Sequence, residues 1–169
     1  MFMKRLYWLL SVMFLAGCHG DPPMVGRPVT QGPDIKEHMI NANRTIAQSE
    51  ETVIDEYIAR RGWPMEKKGD GVRLWVYHEG KGHTIEMEDT VEVRYNIEAI
   101  NGKKIYDYAE ESYVAGHRRD IIGLDMAVMG LPRCSKAKVI VPSNLGYGIG
   151  GDGNRIPQSA ILVMDIEVR

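Results

Sequence analysis

The sequence predicts an α+β domain: an antiparallel five-stranded sheet wrapped on one short helix, with a helical extension in front of it. Two observations carry this. Apolar residues recur every three or four positions up to about residue 61, and at every second position from residue 72 to the C-terminus. The later segment that breaks the alternation, "IIGLDMAVMGL" (121–131), is short and apolar in the manner of a single buried helix.

The extension comes first. Asp34 stands where an N-cap belongs, and Ile35, Met39, Ile46, Val53, Ile54, Tyr57 and Ile58 mark a stripe at helical spacing. Gly62 suits the C′ position that ends it. One apolar stripe fits a brace packed on the domain or a dimerisation arm, and the brace is the preferred reading.

The strands follow. In "VRLWVYH" (72–78), Val72, Leu74 and Val76 alternate with Arg73, Trp75 and Tyr77. "TVEVRYNIEAI" (90–100) sets Val91, Val93, Tyr95, Ile97 and Ala99 against Glu92, Arg94, Asn96 and Glu98, the clearest half-buried strand in the chain. "NGKK" (101–104) is a hairpin turn and "KIYDY" (104–108) its return strand. "KAKVIVP" (136–142) alternates again, and the last strand places Leu162, Met164, Ile166 and Val168 on one face.

The front of the chain reads as an export signal. Lys4 and Arg5 precede an apolar run from Leu6 to Ala16, too short for a helix spanning a bilayer, which takes about 20 residues. "LAGC" (15–18) has the pattern of a bacterial lipobox, in which Cys18 is lipidated and becomes the new N-terminus. The expected organisation is a signal peptide over 1–17, a lipidated proline-containing tether over 18–33, the helical extension over 34–62 and the sheet domain over 72–169. Several acyl chains on Cys18 hold a protein on a membrane where one chain alone holds it only weakly. Cys134 is then left unpaired, in a polar turn with no histidine near it in sequence. Removing Lys4 and Arg5 with the leader takes the formal net charge from −2 to about −4, which gives no basic surface for nucleic acid.

The loop "NLGYGIGGDGNRIP" (144–157) suggests phosphate binding at first sight. It has no G-x-x-x-x-G-K-[ST] pattern, and a strand rather than a helix follows it, so neither a P-loop nor a dinucleotide fingerprint fits. It reads as a long hairpin loop with glycines at positive-φ positions and one aromatic, Tyr147, between them. His78, His83 and His117, with Glu79 or Asp120 near them, read as solvated loop residues rather than metal ligands. The runs "EMED" (86–89) and "HRRD" (117–120) read as exposed charge.

"VEVRYNIEAINGKKIY", then "IIGLDMAVMGL" and "AKVIVPSNLGYGIGGDGNRIPQSAILVMDIEV", resemble the FK506-binding proteins, the FKBP-type peptidyl-prolyl cis-trans isomerases, over about residues 72–169. The helix-plus-lipobox front end resembles the FKBP-like lipoproteins of Bacteroidetes, some of them linked to gliding motility. The resemblance implies a peptidyl-prolyl isomerase (rotamase) that needs no cofactor or metal and acts on proline-containing polypeptides of the cell envelope. With the lipid anchor, the expected location is the periplasm-facing outer membrane. The alternative is an FKBP-like binding or chaperone module with little or no isomerase activity.

The resemblance also assigns roles. Tyr147 is the flap tyrosine whose hydroxyl meets the substrate, and Ile121 offers a backbone N–H at the helix start. Tyr95, Ile105, Tyr106, Leu124, Ile156 and Met164 line the prolyl pocket. Leu124 replaces a usual Trp and Met164 a usual Phe. Ile105-Tyr106 replaces a usual Phe-Asp, so Asp107 serves as the acidic partner only with a one-residue shift. The segment "YAEESYV" is about four residues shorter than usual.

Overall fold

A computed structural model describes residues 33–169; Cys18, the expected signal peptide and nearly all of the tether lie outside the described residues. Helix α1 spans Pro33–Arg61. No glycine or proline interrupts it after its first residue. It begins one residue before Asp34, which therefore lies inside the helix rather than capping it. Its end is the one expected. Gly62 adopts φ +65°, its N–H donates to the Ala59 carbonyl at 3.2 Å, and the Trp63 N–H donates to the Ile58 carbonyl at 3.4 Å. These two bonds form a Schellman motif, with Ile58 and Trp63 both packed against one apolar cluster.

The strands are β1 (Glu66–Lys68), β2 (Val72–His78), β3 (Thr90–Ala99), β4 (Lys104–Val114), β5 (Lys136–Val141) and β6 (Leu162–Val168), with α2 (Ile122–Val128) between β4 and β5. They form one six-stranded antiparallel sheet in the order β1-β2-β5-β6-β3-β4. The expected five strands are present and β1 is added at the edge. Its sequence, "EKK", carries no apolar period, and only its pairing with β2 makes it a strand.

The alternation in β3 decides the inward face. Val91, Val93, Tyr95, Ile97 and Ala99 are all buried. Register places Tyr95 beside Ile166, Ile97 beside Met164 and Ala99 beside Leu162 of β6. Helix α2 covers this face with Leu124, Ala127 and Val128. It lies close because residue 123 is glycine: a Cβ there would stand 2.5 Å from a Val141 methyl. Lys68 of β1 donates its ammonium to the Ala127 carbonyl at 3.3 Å and to the Met129 carbonyl, supplying donors for the C-terminal end of α2.

The second half of α1 covers the other face of the sheet. Ile54 and Tyr57 pack with Ile140, Ile161 and Val163. The brace reading therefore describes this half, while residues 35–49 are exposed. Arg73, expected on the face opposite Val72 and Leu74, is buried there beneath α1 and paired with Asp55 at 2.8 Å and Glu51 at 3.3 Å.

Candidate active site

The site lies where α2, the β3–β4 hairpin and the loop before β6 meet. The floor is aliphatic apart from Tyr95. Ile121 and Leu124 come from the start of α2, Ile105 from β4, Met164 from β6, and Ile156 from the loop. With Tyr95 of β3, none of these residues is more than 7% exposed, and all belong to one core cluster. Tyr106 and Tyr147 are half-buried and pack on the edge of that cluster. Eight residues named from the sequence thus come together.

Asp107 does not join them. Along β3 the pairing moves from Tyr95–Ala109 to Ile97–Tyr106, so β4 carries one extra residue at this point. This bulge turns Asp107 outward: its side chain is 82% exposed and lies 3.6 Å from Lys104. An acid of the loop, Asp152, engages the neighbouring Tyr106 instead. Tyr106 donates its hydroxyl to Asp152 Oδ2 at 2.8 Å, and Asp152 Oδ1 accepts the backbone N–H groups of Asn154, Arg155 and Ile156 at 2.7–2.8 Å. Burial opposes the charge on Asp152, but these donors outweigh it and hold the carboxyl below its ordinary range. The Arg155 guanidinium lies 5.3 Å from the Tyr106 ring centre. Asp152 is thus the knot that fastens the far end of the flap to the hairpin.

Arg118 is the second departure from the sequence reading of "HRRD" as exposed charge. It is buried, with Glu111 Oε2 at 2.6 Å and Asp120 Oδ1 at 2.8 Å from its guanidinium, and it donates to the Tyr95 hydroxyl at 3.4 Å. Tyr95 in turn donates to Glu111 Oε1 at 2.7 Å. An Arg bracketed by acids on separate segments is the signal that sequence inspection passed over.

Tyr147 precedes a short 3-10 turn (Gly148–Gly150), and another (Ser143–Leu145) opens the flap. Glycine is required at 151, where φ is +65° and a Cβ would lie 2.4 Å from the Ile156 carbonyl oxygen. The Tyr147 hydroxyl has no protein partner among the described residues. Burial, then the charge of Asp120, pushes its pKa up, so it stays a protonated donor at neutral pH. The Ile121 N–H, just ahead of α2, also has no partner among the described residues. Two unengaged donors beside an apolar floor can hold a peptide carbonyl, and the arrangement needs neither a nucleophile nor a metal. Cys134 is exposed and stands in a positive-φ turn outside this constellation. His83 lies 3.5 Å from Asp89 and His117 2.8 Å from Glu88, both pairs on the surface.

Comparison with known proteins bears on the family and the fold. The chain is 29% identical over 110 residues to a probable FKBP-type peptidyl-prolyl cis-trans isomerase of Haemophilus influenzae, covering 64% of this chain and 46% of that protein. It therefore spans about half the length of that relative. It is 28% identical to FK506-binding protein 2 of Dictyostelium discoideum, covering 60% of this chain and 81% of that one. Among solved structures, a peptidyl-prolyl cis-trans isomerase of Pseudomonas syringae superposes with a TM-score of 0.61 at 25% identity, covering 74% of this chain and 92% of that one. The family described as FKBP-type peptidyl-prolyl cis-trans isomerase matches residues 81–169, the stretch that holds every residue of the site just described. With more than half of its residues inside that match, the chain belongs to the FKBP-type peptidyl-prolyl cis-trans isomerase family.

Proposed function

We propose that the chain is a peptidyl-prolyl cis-trans isomerase acting on proline-containing polypeptides, and that a lipid on Cys18 holds it in the bacterial envelope. The observation that carries the catalytic reading is the free Tyr147 hydroxyl set over an apolar floor of Ile105, Ile121, Leu124, Ile156 and Met164. Rotation about an Xaa-Pro bond faces a barrier of roughly 18–20 kcal/mol, the loss of amide resonance. The planar amide is the more polar form, so an apolar wall disfavours it relative to the twisted one. Tyr147 and the Ile121 N–H then hold the carbonyl as it leaves the amide plane. No covalent step is required.

The depth of the floor favours a second reading. Its residues are 0–7% exposed, so the floor offers a prolyl ring little surface unless the residues packed over it, Tyr147 among them, move. A site that stays closed in solution makes the domain a binding module for envelope clients.

Tyr147→Phe tests the catalytic reading. One hydrogen bond made mainly in the transition state is worth about 1–1.5 kcal/mol, so kcat/KM on a short Xaa-Pro peptide falls roughly five- to fifteenfold while the circular dichroism spectrum is unchanged. Equal kcat/KM for the two proteins removes the hydroxyl from the mechanism.

Anchoring has its own test. Cys18→Ala releases the protein from membranes or leaves an unprocessed precursor, scored by carbonate washing and lipid labelling. A variant that stays in the washed membrane and still takes label overturns the lipobox reading.

A further inference from the structure

Besides the Ser159 N–H donated to the Gly148 carbonyl at 2.8 Å, two carboxylates among the described residues tie the flap to the rest of the chain, and only one belongs to the family domain. At its far end Asp152 ties it to Tyr106. At its root Ser143 is held by Glu50, a residue of α1 outside the matched span 81–169. Glu50 is buried at midlength of α1. Its Oε2 accepts the Ser143 N–H at 3.0 Å and its Oε1 accepts the Ser143 hydroxyl at 2.5 Å. Ser143 begins the 3-10 turn that opens the flap, and its carbonyl accepts the Gly146 N–H at 3.1 Å, one residue before Tyr147. One carboxylate thus fixes the backbone and the side chain of the residue from which the catalytic tyrosine is suspended.

Behind the flap lies a hollow of about 430 Å³. Asn43, Ile46 and Ala47 of α1 line one side, Gly148 and Ile149 of the flap the other, and Glu50 and Ser143 also border it. Ile149 is 76% exposed and a Cβ at Gly148 would meet nothing within 4 Å. The flap therefore has free space on the α1 side, while on the pocket side Tyr147 packs against the core.

We propose that Glu50 is a positioning residue of the isomerase site: it pins the root of the flap, and the flap lifts off the prolyl pocket by swinging into the hollow against α1. The inference rests on the isomerase reading for its kinetic consequences but not for the motion itself. It makes the helical extension a working part of the site rather than a brace alone.

Three variants of the full chain test it, followed by hydrogen exchange of the 143–157 segment and by kcat and KM on an Xaa-Pro peptide, at a temperature where all are folded. Glu50→Ala removes both acceptors, and flap exchange quickens by roughly tenfold, the scale of hydrogen bonds to a charged group, with KM raised and kcat lowered. Glu50→Gln keeps an acceptor for the Ser143 N–H and a partner for its hydroxyl but not the charge, and falls between the parent and Glu50→Ala. Ala47→Phe fills the hollow from an exposed position, leaves the pin intact, and lowers kcat/KM without quickening exchange. If Glu50→Ala lowers the melting temperature but leaves flap exchange, kcat and KM at parental values, Glu50 only braces the fold and the inference falls. Parental kcat/KM in Ala47→Phe removes the hollow from the motion. A parent chain with no isomerase activity sinks the catalytic reading, while the exchange data and the affinity for a proline peptide still decide the role of Glu50.

Discussion

Val93→Asp leaves the chain unfolded. Val93 has no exposed surface and sits at the middle of β3, opposite Val168 of β6 on one side and Glu111 of β4 on the other. A carboxylate there loses its water, and the side chain opposite it on β4, Glu111, is itself acidic and already pairs with Arg118, which Asp120 also holds. An unpaired buried charge costs several kcal/mol or more, against a whole-domain stability of about 5–15 kcal/mol. Protonating the new acid relieves only part of the cost, because the neutral carboxyl still lacks a partner. Glu92→Ala, one residue away on the exposed face, changes stability by under about 0.5 kcal/mol. Thermal melts of the two variants check this directly: equal losses from both contradict the assigned faces of the sheet.

Leu124→Ala keeps the fold and loses substrate. Leu124 is fully buried in α2, packed between the sheet and the neighbouring site residues. Truncating a buried leucine to alanine costs about 2–5 kcal/mol, the spread depending on how far the surroundings close over the cavity. Here Gly123 already brings α2 close to Val141, so little further approach is available and the cost falls in the upper half of that range. The cavity opens beneath the proposed prolyl site, so affinity for a proline peptide drops along with the melting temperature. Calorimetric melting and peptide titration on the same sample check both parts. A variant that is destabilised yet binds the peptide as the parent does places Leu124 in the core but outside the pocket.

The large features of the fold were legible because they follow from single-strand periodicity. Alternation over 90–100 identified every inward residue of β3, and the last strand behaved in the same way. Gly62 announced the end of α1 because a left-handed C′ residue is a local requirement. What stayed hidden depends on pairing between distant segments. Strand β1 exists only because Glu66–Lys68 lies beside Leu74–Val72. The outward turn of Asp107 comes from a bulge that only the β3–β4 register reveals. Arg118 is buried because Glu111 and Asp120 surround it, and Glu50 because a loop 93 residues away in sequence supplies its donors. Apart from Asp120, two residues from Arg118, the partners lie too far along the chain for a residue's own neighbours to reveal them. The site followed the same division: its apolar floor and flap tyrosine were recognisable, and its charged supports were not.

The most direct measurement of the central claim is the cis–trans relaxation rate of a short Xaa-Pro peptide with catalytic amounts of the full chain in detergent. Uncatalysed, that relaxation takes roughly 10–100 s at 25 °C. The rate rises in proportion to protein concentration, and excess of a second proline peptide suppresses the increase. A relaxation rate that stays at its uncatalysed value, at protein concentrations that saturate peptide binding, would contradict that claim.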